Sequence, residues 1–91
     1  MTTMRTFLVE CYLPGIDEAA VAEAATRARL AAGELHAQGD AIAYIGATLM
    51  PADEVVFHAF SAPDAAVVEA ASRAAGLSFE RVVESTGVPG T

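Results

Sequence analysis

Residues 54–60, Glu-Val-Val-Phe-His-Ala-Phe, carry apolar side chains at nearly every position. Side chains alternate along a strand, so Val55, Phe57 and Ala59 share one face and Val56, His58 and Phe60 the other. A strand with no polar face is covered on both sides, by other layers of the chain or by a partner. This segment is therefore the predicted centre of a sheet. Residues 5–12, RTFLVECY, are rich in β-formers and stop at the turn signal Leu13-Pro14-Gly15. They set Phe7, Val9 and Cys11 on one face and Leu8, Glu10 and Tyr12 on a mixed one. Asp17 caps a predicted helix running to about Gln38, with Gly39 as its stop. Its buried stripe is Val21, Ala24, Ala25, Ala28, Ala31, Ala32 and Leu35, mostly alanine, so the helix should lie close to what it covers.

Residues 41–50 predict a second strand with an apolar face of Ala41, Ala43, Ile45, Ala47 and Leu49. Its mixed face holds Ile42, Tyr44, Gly46, Thr48 and Met50. Pro51-Ala52-Asp53 then turns the chain, making 41–60 a hairpin. Asp64 caps a helix over about 65–75 that Gly76 ends, and residues 80–85 form the last strand. Residues 1–4 read as a frayed end and 86–91 as a loose tail, which leaves one domain over 1–91 with its core at about 5–85.

Residues 19–28, AAVAEAATRA, and 65–74, AAVVEAASRA, agree at eight of ten positions. Each copy follows a strand, a proline-containing turn and an Asp cap, and precedes another strand. The order is then βαββαβ, an α+β ferredoxin-like sandwich: a four-stranded antiparallel sheet with both helices on one face. Two helices hide one face only. The set Phe7, Val9, Ala43, Ile45, Ala47, Leu49, Val55, Phe57 and Ala59 suits the helix side. That leaves Leu8, Glu10, Tyr12, Ile42, Tyr44, Thr48, Met50, Val56, His58 and Phe60 on a second face too apolar for a lone soluble chain. The expected cover is the same face of a second copy, giving a homodimer.

Charge narrows the partners. Five arginines, no lysine and twelve acidic residues give a net charge of −7, which disfavours nucleic acid and anionic membranes. No apolar run approaches the ~20 residues of a membrane span, and the N-terminal residues show no signal-peptide cleavage pattern. The single cysteine, Cys11, excludes an intrachain disulfide and fits a reducing cytoplasm. Cys11 reads as a small buried hydrophobe and His36 as a solvated residue in the last helical turn.

Candidate chemistry lies on the second face. Glu10 and His58, on neighbouring central strands, can form a carboxylate–imidazole pair, a general base with Tyr12 or Tyr44 as proton donor. Tyr12, Tyr44, Thr48 and Phe60 would line the pocket between two sheets. The competing structural reading is a satisfied polar network inside an interface, with His58 an ordinary buried histidine. No glycine-rich phosphate loop, nucleophile triad or metal-ligand spacing is present, and no residue is assigned as a metal ligand.

The segments Phe7-Leu-Val-Glu-Cys-Tyr-Leu-Pro-Gly15, Tyr44-Ile-Gly-Ala-Thr48, Glu54-Val-Val-Phe57, Ser61-Ala-Pro-Asp64 and Ala75-Gly-Leu-Ser-Phe79 resemble a family of small bacterial ferredoxin-like proteins of unknown function. That family includes a nickel-binding protein. The resemblance spans about residues 5–85 and implies a homodimer and, for some members, nickel at the dimer surface. The nickel-binding branch carries histidines in the first strand and first helix, where this chain has Glu10, Cys11, Tyr12 and Ala24–Ala28. The expectation is thus a homodimeric binding protein enclosing a small-molecule pocket between sheet faces. The alternatives are a cofactor-free isomerase or cyclase using His58 and Glu10, or a protein that binds a divalent metal such as nickel.

Overall fold

The computed structural model describes residues 3–90, so residues 1, 2 and 91 of the predicted frayed end and tail lie outside it. Six elements follow in order: β1 (Arg5–Tyr12), α1 (Glu18–Ala37), β2 (Ala43–Met50), β3 (Val55–Ala62), α2 (Ala65–Ala74) and β4 (Arg81–Ser85). The sheet order is β2-β3-β1-β4, every pair is antiparallel, and the fold is ferredoxin-like. Residues 86–90 are exposed and adopt no regular structure. Among the described residues no helix is long and apolar enough to cross a membrane.

The helix ends form where cap chemistry places them. Asp17 and Asp64 have extended backbones, and their carboxylates accept the N–H groups of Ala20 at 2.8 Å and Val67 at 3.2 Å. Gly39 and Gly76 take positive φ just past the last turns, where an L side chain would be strained.

The repeated helical decapeptide buries two different stripes. α1 buries Val21, Ala24, Ala28, Ala31 and Ala32, whereas α2 buries Val68, Ala71 and Ser72. In repeat alignment Val68 and Ser72 correspond to Ala22 and Thr26, both exposed. The two positions where the copies differ are therefore the two that rotation carries into the core of α2. Ser72 settles there by donating its hydroxyl to the Val68 carbonyl at 2.8 Å.

β1 behaves as predicted, with Phe7, Val9 and Cys11 facing the helices. β3 is reversed. Residues directly opposite in an antiparallel pair share a face, and Phe7, Val9 and Cys11 stand opposite Phe60, His58 and Val56. Val56, His58, Phe60 and Ala62 therefore point into the helix–sheet layer, and Val55, Phe57, Ala59 and Ser61 point away from it. Both sides of this strand are apolar, so alternation alone set no phase. A shift of one residue exchanges the two faces entirely.

β2 carries a second departure. A bulge between Tyr44 and Gly46 leaves Ile45 without a partner on β3, so Tyr44 joins Ala47 and Leu49 on the helix side. Ile45 becomes exposed. The strand after the hairpin begins at Val55 because Glu54 adopts a left-handed conformation, φ 55°. Its carbonyl accepts the Leu13 N–H at 3.0 Å and its carboxylate accepts the Gly15 N–H. One turn residue thereby ties the hairpin to the loop leading into α1.

Candidate functional site

The sheet divides the polar groups between two layers. On the helix side, β3 supplies His58, 1% exposed, and the β2 bulge supplies Tyr44 beside it. The Tyr44 hydroxyl and His58 Nδ1 are 2.8 Å apart. The Tyr44 ring also meets Phe60 edge-on, with centroids 5.1 Å apart at 69°. Burial first, and the nearby Arg27 charge second, push the His58 imidazolium below the ordinary histidine range. Burial pushes the Tyr44 phenol up to about 12, with Arg29 opposing part of the rise. Both groups are neutral at pH 7, so they make an uncharged hydrogen bond in the core. This matches the structural reading of His58 more closely than a base open to substrate.

Because His58 is buried in its neutral form, it links stability to pH. The unfolded chain takes up this proton near pH 6.5, while the folded chain resists it until lower pH. Below about pH 6.5 the unfolded state thus binds more protons and stability falls; above it this contribution is fully present. Urea unfolding between pH 5 and 8 should show wild type losing stability from pH 6.5 downward. His58→Leu should lose less over the same window, and equal slopes would contradict the assignment.

Glu10 lies on the opposite face. Its neighbours across the strands are Phe57 and Arg81, and its carboxylate accepts from Arg81 Nε at 2.6 Å. The expected Glu10–His58 pair does not form, because β3 turns His58 toward the helices while β1 turns Glu10 away from them. The four expected pocket residues split two and two. Tyr44 and Phe60 pack under the helices, whereas Tyr12 and Thr48 stand exposed on the other side, opposite Val55 and Phe57.

The uncovered face carries an apolar patch among polar groups. Leu8, Val55, Phe57, Ala59 and Val83 share it, each half-buried, with Glu10 beside Phe57 and Met50 opposite Val55. The Glu10–Arg81 ion pair sits at one end of the β1–β4 ladder. Small residues meet on the β2–β3 side, where Ala43 faces Ser61 and Gly46 faces Ala59. Sequence reasoning placed Leu8 on this face, put Val55, Phe57 and Ala59 on the other, and assigned Val83 to neither.

Cys11 is buried, and burial together with Glu80 and Glu10 pushes its thiol up to about 11, so it packs as a hydrophobe. Among the described residues no three His, Cys, Asp or Glu side chains gather in a metal-binding arrangement. Two depressions flank the seam between α1 and β2. The larger, about 370 Å³, lies by the first half of the helix and is apolar apart from Glu18. The second, about 310 Å³, lies by the later half and gathers Arg29, His36 and Tyr44.

No family model matches the chain, and neither the curated proteins nor the solved structures yield a match to it.

Proposed function

We propose that this chain is a small-molecule binding protein that works as a face-to-face homodimer, each protomer laying its uncovered sheet face on that of the other. The observation carrying this reading is the uncovered cluster of Leu8, Val55, Phe57, Ala59 and Val83, which neither helix reaches. Apolar side chains gathered in one patch are stabilised by leaving water, and a two-fold axis supplies an identical patch to meet them. The size suits a modest interface. Strands of eight, eight, eight and five residues, about 4.8 Å apart and about 3.3 Å per residue, give roughly 450 Å² of projected face. That is a little over half of the ~800 Å² per partner of a standard interface, the scale of a modest dimer.

Two such faces meet well where Phe57 and Leu8 project, and less well over Ala43, Gly46, Ala59 and Ser61, where side chains are short. The hollow left there suits a small, mainly apolar ligand, with Thr48 offering a hydroxyl beside Phe57. Sedimentation equilibrium at roughly 1 to 100 µM, which brackets the affinities expected of a modest interface, tests the assembly. The expected mass is twice that of one 9.4 kDa chain. A single-chain mass throughout would remove both the dimer and the enclosed hollow.

A further inference from the structure

We propose a second binding site, for a small planar monocarboxylate such as an aromatic acid, in the groove between the later half of α1 and the start of β2, with Arg29 as the anion's partner. The charge pattern points there first. Four of the five arginines are engaged by carboxylates: Arg5 by Glu84, Arg27 by Glu23, Arg73 by Glu69 and Arg81 by Glu10. Among the described residues Arg29 alone has no carboxylate within 4.0 Å, in a chain with twelve acidic side chains and a net charge of −7. An exposed guanidinium left free in so acidic a protein retains its planar fork of donors, which matches a carboxylate in two parallel hydrogen bonds.

The groove around it has the shape for the rest of such a ligand. Arg29, Gly33 and His36 follow one another at helical spacing and line one wall, and Ile42 and Tyr44 line the other. Ala32 and Ile42 are buried, giving an apolar floor. Gly33 sits inside a twenty-residue helix, where glycine weakens the helix relative to alanine. A Cβ there would meet nothing within 4 Å, so helix–sheet packing does not require the glycine. Its missing side chain leaves the groove open on the helix side.

Tyr44 is already fixed before any ligand arrives. Its hydroxyl is held by His58 at 2.8 Å and its ring by Phe60 at 5.1 Å, so a flat ring can stack on it without first ordering it. Arg29 acts electrostatically on the same phenol, which places the cation and the aromatic surface within one small site. A volume of about 310 Å³ is at the lower end for organic ligands. A single free guanidinium in a field of net negative charge suits one carboxylate and disfavours polyphosphates. The groove lies along the α1–β2 seam and meets the proposed dimer face only at Ala43, so the two proposals can fail separately.

The test is a two-dimensional ¹H–¹⁵N NMR titration of the full chain with sodium benzoate, beside sodium acetate and benzyl alcohol. Benzoate is expected to shift the amides of Gly33, Ile42 and Tyr44 saturably, and more tightly than acetate, which lacks the ring, or benzyl alcohol, which lacks the charge. Arg29→Gln, at an exposed position, should weaken benzoate at least tenfold while the rest of the spectrum is unchanged. Arg73→Gln, on α2, should leave binding as in wild type. Gly33→Leu should abolish saturation by filling the groove. Benzoate shifts that do not saturate, that persist in Arg29→Gln, or that benzyl alcohol reproduces would overturn the site.

Discussion

Phe60→Ala is expected to lower the unfolding free energy by about 3–5 kcal/mol, the range for removing a fully buried aromatic ring. Phe60 is 0% exposed at the centre of β3, opposite Phe7 and edge-on to Tyr44. Truncation leaves a void between the sheet and helices whose own contributions are mostly alanine, and alanine cannot lean in to fill it. Tyr44 loses the ring that fixes one side of it, so its hydrogen bond to His58 should loosen as well. For a domain of this size, whose total stability is of order 5–15 kcal/mol, the loss is a large fraction. Urea denaturation monitored by far-UV circular dichroism measures it. A loss below about 1 kcal/mol would mean that this ring is not in the core.

Phe57→Glu is expected to act on association instead. Phe57 is three residues from Phe60 and on the other face, beside Glu10 of β1 and Thr48 of β2. In a two-fold dimer the substitution adds a carboxylate beside Glu10 on each copy, so the interface gains two buried like charges. The dimer dissociation constant should rise at least about a hundredfold, the effect of losing roughly 3 kcal/mol at a central anchor. The isolated protomer should keep its fold, because the helix-side core is untouched. Size-exclusion chromatography with light scattering reads the mass, and an unchanged dimer at low micromolar concentration would contradict the assignment. Phe60→Ala and Phe57→Glu together therefore separate the two faces of a single strand, one through stability and the other through assembly.

The sequence made the element order legible because local chemistry specifies it. Asp17 and Asp64 mark helix starts, Gly39 and Gly76 mark helix ends, and Pro51-Ala52-Asp53 marks the hairpin. Six segments in the order βαββαβ then leave few topologies. The orientation of β3 was not legible, because Val55, Phe57 and Ala59 are as apolar as Val56, His58 and Phe60. Only the pairing of Val9 with His58 resolves the choice. The Tyr44 position depended on a bulge whose one signal was Gly46, since a glycine inside a strand often marks a bulge.

The candidate site was legible in its principle and displaced in its residues. Two helices packed on one side of a sheet leave its other face open, and that holds whichever residues occupy it. Glu10 and His58 looked like partners because β1 and β3 are neighbours, but neighbouring strands bring together only residues in phase. Arg29 gave no signal in the linear sequence, because its lack of a carboxylate partner is a property of three-dimensional positions.

The proposed pairing of open faces is tested most directly by isotope-filtered nuclear Overhauser spectroscopy on a mixture of labelled and unlabelled protomers. Signals should pass between subunits from the Phe57 ring to the methyl groups of Leu8, Val55 or Val83, and none should involve Phe60. Cross-subunit contacts confined to the helices, or none at all from Phe57, would contradict it.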